Sequence, residues 1–184
     1  ISMALTPMTL TARMIRKQHP KAKIVFVGPC SAKKLEAMRS SVRSEVDFVL
    51  TFEEMAGMMD ARDIDYLSLA DDNKSDFDVA SEDARNFAVS GGVANAVANV
   101  IHRDHPDAEV KIACAESLDG CRKMMKDAVK GKYPGYLLEG MACPGGCIAG
   151  AGTLQSISKS KAAVGRYAKR SPHKNAVDNE FRSL

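Results

Sequence analysis

The stretch Leu138-Glu-Gly-Met-Ala-Cys-Pro-Gly-Gly-Cys-Ile-Ala-Gly-Ala-Gly152 constrains this chain more than any other. It places Cys143 and Cys147 four positions apart in a glycine-rich run. Tyr136 to Leu138 reads as a short strand feeding that run. Thiolates are soft ligands, so a pair of them on a glycine loop suits iron–sulfur or zinc ligation. Glycine also lets the backbone pass close to a bulky inorganic group and aims N–H groups at its anionic sulfurs. Taken alone, the C-x3-C pair reads first as a tight turn between a strand and a helix, with two ordinary thiols.

A second thiol segment, Phe26-Val-Gly-Pro-Cys-Ser-Ala-Lys-Lys-Leu-Glu36, shifts that balance. Ala22 to Val27 is an apolar, β-branched run that predicts a buried strand. Gly28-Pro29 turns the chain, and Ser31 to Arg39 predicts a helix. Cys30 then sits at a strand–turn–helix junction, where a helix N-terminus stabilises a thiolate. Lys33 lies three residues on and can face the same space, although a helix lysine is more commonly solvated.

Together the two segments resemble the second and third signature motifs of the [FeFe]-hydrogenase catalytic domain. Those motifs run M-P-C-x-x-K-x-x-E and E-x-M-A-C-x-x-G-C-x-x-G-G-G-Q-P. Pro29, Cys30, Lys33 and Glu36 match the former; Glu139, Met141, Ala142, Cys143, Gly146 and Cys147 match the latter. Phe87, Gly91, Gly92, Val93 and Ala96 match a further stretch of that family, F-x-x-x-G-G-V-x-x-A. The resemblance implies a C-terminal H-cluster domain that reversibly reduces protons to H2. It implies Cys30, Cys143 and Cys147 as metal ligands to a [4Fe–4S] cluster, with Cys147 bridging to a linked diiron subcluster. Gly145 and Gly146 would shape the cofactor loop, Lys33 would donate to an iron-bound cyanide, and Met141 and Phe87 would wall the site. It further implies ferredoxin or fused ferredoxin-like domains and hydrogenase maturation proteins as partners, in an anaerobe.

The chain departs from the family pattern at several points. The first motif, T-S-C-C-P, is absent, Thr6-Pro7-Met8 stands where a Ser-Pro-Gln-like segment is expected, Asn95 replaces a common glutamate, and the glycine loop ends Gly150-Ala-Gly-Thr-Leu. These departures suggest a divergent member of the family, with a sensory type as one form it could take. The chain opens at Ile1-Ser2-Met3 and reads as part of a longer protein, inactive and without its cluster by itself. The resemblance also admits a Narf-like iron–sulfur protein without catalysis, or a module sensing H2 or redox state.

The rest of the sequence sets the frame. At 184 residues, 45% hydrophobic and 27% charged, the chain has the composition of a globular domain. A net charge of +3 is too small to argue for nucleic acid, and no apolar run is long enough to span a membrane. Five cysteines, an odd number, exclude a fully paired disulfide framework and suggest the cytoplasm. Cys114 and Cys121 lie outside the recognised motifs and read as structural thiols, Cys114 at a strand end and Cys121 on the inner face of a helix.

Predicted elements alternate. Pro7 to about His19 is a helix capped by Thr6, with Leu10, Met14 and Ile15 as its apolar stripe. Val46 to Leu50 is a strand, and Thr51-Phe-Glu-Glu54 is a capping box opening a helix. Asp63 to Asp83 is a surface connection. Val93, Ala96, Val97, Val100 and Ile101 form one face of a helix, Glu109 to Ala115 a strand, and Thr153 to Lys169 a helix. The fold class expected is α/β, a mainly parallel sheet with helices on both faces, as one domain over residues 1–170 and a frayed polar tail over 171–184.

Overall fold

The computed structural model describes residues 2–69 and 79–178. The chain divides into two compact units: residues 1–69 with 150–154, and residues 70–149 with 155–184. The fold is mixed α/β and its strands are parallel. They are shared between two two-stranded sheets, one per unit, so each unit is built on a strand–helix–strand crossover.

In the first unit, α1 spans Pro7–Gln18, β1 Val25–Gly28, α2 Ala32–Met38, β2 Phe48–Thr51 and α3 Phe52–Asp60. Strand β1 pairs with β2 from Val25 opposite Phe48 to Gly28 opposite Thr51. The ends of its helices follow from local chemistry. Thr6 accepts from the Thr9 N–H at 3.4 Å, and Pro7 starts the helix with its fixed φ. The predicted capping box forms: Thr51 Oγ1 accepts from Glu54 N–H at 3.1 Å, and Glu54 accepts from Thr51 N–H at 2.8 Å.

The buried face of α1 is Met8, Thr9 and Ala12, not the predicted stripe, and Leu10 is exposed. The reason is polar. The Thr9 hydroxyl donates to Glu36 at 3.3 Å, which draws that face of the helix toward α2. Asp47 ties α1 to the sheet, accepting from Arg16 at 2.8 Å and from the Ile24 N–H at 2.8 Å.

In the second unit, α4 spans Glu82–Arg85, α5 Gly92–Asp104, β3 Lys111–Glu116, α6 Ser117–Val129, β4 Tyr136–Met141 and α7 Ile157–Lys169. Strand β3 pairs with β4 from Lys111 opposite Tyr136 to Glu116 opposite Met141. Alternation along these strands sends neighbouring residues to opposite faces. Cys114 and Glu139, paired in register, face the start of α5. Ala115 and Gly140 face α6, where a Cβ on Gly140 would stand 3.0 Å from the Cys121 sulfur. Helices therefore cover both faces of this sheet.

Of the predicted face of α5, Ala96 is buried, Val93, Val100 and Ile101 are half-buried and Val97 is 41% exposed; the fully buried residues are Gly92, Ala94, Ala96 and Ala98, a small-residue face. Small side chains are needed because the helix start packs directly on β4. Other boundaries also shift. Helix α7 begins at Ile157, since residues 150–154 pack with the first unit: Gly152 N–H donates to Pro29 O at 3.0 Å, and Glu53 N–H to Gly152 O at 3.2 Å. Of the predicted connection 63–83, residues 70–78 lie outside the described residues, and Glu82 and Asp83 form the first turn of α4, capped by Ser81. The start of the tail is bonded to α4. Glu82 N–H donates to His173 O at 2.8 Å, and Lys174 pairs with Glu82 at 2.7 Å. Buried Arg85 donates to Tyr167 O at 2.9 Å and lies 4.2 Å from the centre of the Tyr167 ring, joining α4 to α7.

Candidate functional site

The cysteine loop follows β4 without a break. Met141 ends the strand, Cys143 is half-buried, and Cys147 opens a 3-10 turn, Cys147–Ala149, at the surface. Gly145 and Gly146 have φ of +91° and +95°, which turn the chain back on itself. Gly146 N–H donates to Cys143 O at 3.0 Å and closes the turn. A Cβ on Gly146 would stand 2.6 Å from both the Ala88 oxygen and the Ser90 nitrogen. The loop and the Phe87–Gly92 segment are therefore packed backbone against backbone, and only glycine fits there.

The Phe87–Gly92 turn is held from two sides. Ser90 N–H donates to Gly145 O at 3.1 Å. Glu139, a buried side chain on β4, accepts from Gly91 N–H at 2.5 Å and from Ala94 N–H at 2.8 Å. Gly92 is also obligatory, because a Cβ there would lie 1.9 Å from the Asn86 oxygen. Phe87, Cys143, Gly145, Gly146 and Cys147 thus gather in one place, with Met141 at the adjoining strand end. Asn95 lies on the first turn of α5, its N–H donating to Gly91 O at 2.9 Å.

Cys30 and Lys33 belong to the first unit. Cys30 follows β1, is half-buried and precedes α2; Lys33 N–H donates to Cys30 O at 3.3 Å. The Lys33 ammonium is not solvated as a helix lysine usually is. It donates to Glu36 Oε2 at 2.5 Å, and both side chains are about one-fifth exposed, 23% and 22%. Burial pushes the Glu36 carboxyl up, but hydrogen bonds from Lys33, Thr6 and Thr9 together with the Lys33 charge outweigh it, holding the group below its usual range. Lys33 is consequently a fixed, oriented cation.

Of the two remaining thiols, Cys121 is half-buried and Cys114 is exposed. Cys121 lies against the carbonyl oxygens of Ala115 and Met141, at 3.7 and 3.6 Å. Cys114 lies within β3, not at its end. Burial raises its pKa, and the nearby Glu139 and Glu116 carboxylates push the same way. No disulfide joins any of the five cysteines. Among the described residues no three His, Cys, Asp or Glu side chains converge to hold a single metal ion. A cluster differs in this respect, because it spreads its thiol ligands over separate corners. Glu139, matched in the cysteine motif but not named as a site group from the sequence, is the buried carboxylate that bonds β4 to the Phe87–Gly92 turn. Its place in the E-x-M-A-C pattern was the available signal.

Comparison with known proteins bears on this arrangement. The family model for the iron-only hydrogenase large subunit, C-terminal domain, matches residues 1–151. The periplasmic [Fe] hydrogenase large subunit of Nitratidesulfovibrio vulgaris is 27% identical over 175 residues, covering 78% of this chain and 42% of that protein. The human nuclear prelamin A recognition factor is 26% identical over 165 residues, covering 72% of this chain and 36% of that protein. This chain spans less than half the length of these curated relatives. A solved [FeFe]-hydrogenase, described by the oxygen inactivation of its H cluster at the 2Fe subcluster, superposes with a TM-score of 0.73 at 19% identity, over 97% of this chain and 62% of that one. At that identity the superposition establishes the fold. No helix among the described residues is long and apolar enough to cross a membrane.

Proposed function

This chain belongs to the family of C-terminal domains of iron-only hydrogenase large subunits, and from that premise we propose that it holds a [4Fe–4S] cluster and linked diiron unit in a protein that interconverts protons and H2. The observation that carries this reading is the Cys143–Cys147 loop, turned by two glycines at positive φ and seated on the Phe87–Gly92 turn. The donor chemistry fits the group, with three of the four thiolates that a [4Fe–4S] cluster takes. Cys30, Cys143 and Cys147 are soft thiols at element ends, and Gly145 and Gly146 leave the loop without side chains beside them. The bound cofactor supplies the redox chemistry, two protons and two electrons against one H2, with electrons from a ferredoxin-type donor.

What the chain contributes is placement and electrostatics. Cys30, Cys143 and Cys147 anchor the inorganic group. Lys33, held by Glu36, presents a fixed N–H donor to an anionic non-protein ligand. Met141 and Phe87 give the site apolar walls and limit water. Partners are ferredoxin or fused ferredoxin-like domains and the maturation proteins that deliver the diiron unit. The thiol content supports a cytoplasmic protein, and the periplasmic relative makes cell fractionation the test of compartment.

The test is anaerobic maturation of the full-length protein, followed by iron analysis and H2 evolution. Wild type should evolve H2. C30S, C143S and C147S should each lose iron and activity together. A second reading, a Narf-like carrier or sensory module, is favoured by Asn95 at the start of α5, where a neutral amide replaces a titratable carboxylate. Uptake of cubane iron alone would favour the carrier. Uptake of the diiron unit without turnover would favour the sensor.

A further inference from the structure

Burying a carboxylate is costly unless donors converge on it. Glu139 is 8% exposed, and its partners are the backbone N–H groups of Gly91 and Ala94. Both belong to the start of α5, where the helix dipole and unpaired N–H groups favour an anion. Gly91 occupies the cap position and has no side chain to fill it. The cap therefore comes from another element, β4.

A cap alone would need nothing further, but the segment it secures is also bonded at its other end. Ser90 N–H donates to Gly145 O, and Gly146 packs against Ala88 and Ser90. The strand that carries Glu139 runs directly into the loop that carries Cys143. The result is a closed circuit of chain and hydrogen bonds: β4 to the Glu139 side chain, its carboxylate to the start of α5, Ser90 to Gly145, and Gly145 back to β4. We propose that Glu139 is a positioning residue, whose carboxylate holds the Phe87–Gly92 turn against Gly145 and Gly146 and so sets the separation and direction of Cys143 and Cys147. Its consequence for cluster binding rests on the iron–sulfur reading above.

The test separates positioning from simple helix capping. Glu139→Gln keeps the shape but turns an NH2 group toward an N–H donor. Adding G91D returns a carboxylate to the helix start from the cap position itself. Space exists, since a Cβ on Gly91 meets Asn95 Nδ2 at 3.6 Å and Cys114 Sγ at 3.9 Å. Its φ of +86° strains any side chain, aspartate less than most, so the G91D single variant is measured alongside as the control for that strain.

In iron-free full-length protein, E139Q should speed amide exchange at Ser90, Ala94 and Gly146 by about tenfold or more. The double variant should restore protection at Ala94 and the thermal midpoint, while Ser90 and Gly146 stay fast. After reconstitution with ferrous iron and sulfide, both variants should bind less iron than wild type. The residual cluster should show a broadened electron paramagnetic resonance signal that G91D does not sharpen. The proposal is overturned if E139Q moves only Ala94, or if G91D restores every readout. Should E139Q not fold, the comparison of Ala94 with Ser90 is read within the double variant. A wild type that takes up no iron would sink the iron–sulfur reading alone, because the exchange result stands without metal.

Discussion

Gly146 has room for a hydrogen and nothing larger. Replacing it with alanine would drive a methyl group into the Ala88 oxygen and Ser90 nitrogen at 2.6 Å and impose φ +95° on a residue with a Cβ. The expected cost is about 2–4 kcal/mol, combining backbone strain with displacement of the Phe87–Gly92 turn. A lowered thermal midpoint and a loss of iron uptake, measured side by side, check this. Cys114 and Cys121 lead to the opposite expectation. Cys121 touches two carbonyl oxygens at sulfur distances, and Cys114 sits beside two carboxylates that disfavour its thiolate. Double replacement with serine should leave iron content unchanged. Cys114 should also alkylate more slowly than an unperturbed thiol at pH 8. A stoichiometric fall in iron would make either one a ligand.

At the scale of elements, short helices are joined by single charged side chains. Asp47 holds α1 to the start of β2, and its pKa falls from 3.8 to about 2. The causes, largest first, are the Ile24 backbone N–H and the Arg16 guanidinium, both of which favour the carboxylate. A carboxyl whose folded pKa is depressed stabilises the fold above its ordinary pKa and loses that contribution as pH falls through the folded value. Wild type should therefore be more stable than D47N at pH 6. The difference in urea midpoint should shrink between pH 4 and pH 2, and a gap that persists at pH 2 would refute this role. The capping box of α3 works within four residues, Thr51 to Glu54, and needs no distant partner.

Across the whole molecule, core and site meet at Ile148, buried beside Cys147 in the cysteine loop. Among the described residues the buried apolar side chains are Met8, Ala12, Ile24 and Ala56 in the first unit and Ala94, Ala96, Ala98, Met124, Ile148 and Ala168 in the second, and no cysteine is among them. Since no cysteine contributes to that core, the expectation is that the chain folds without metal, unlike a zinc finger, whose metal supplies its folding energy. The iron-free chain should melt cooperatively and show the same far-ultraviolet circular dichroism in the presence of chelator. Iron binding should then slow exchange chiefly over residues 143–149 and around Cys30. A chain that is unfolded until iron is added would overturn this.

The sequence by itself determined the local elements and the family to which the chain belongs. Strand–helix alternation, the Thr6 and Thr51 caps, and the thiol and glycine spacing of residues 143–147 all act over a few residues, so they are written in short windows of sequence. Only the tertiary structure decided which residues hold that site in place. Glu139 bonds Gly91 and Ala94 across separations of 48 and 45 residues, and Arg85 reaches Tyr167 across 82. No local periodicity encodes such pairs. The alanine face of α5, the start of α7 at Ile157, the docking of residues 171–178 and the division of parallel strands between two sheets were hidden for the same reason. Each depends on which backbone passes close by, and close approach is a property of the folded chain.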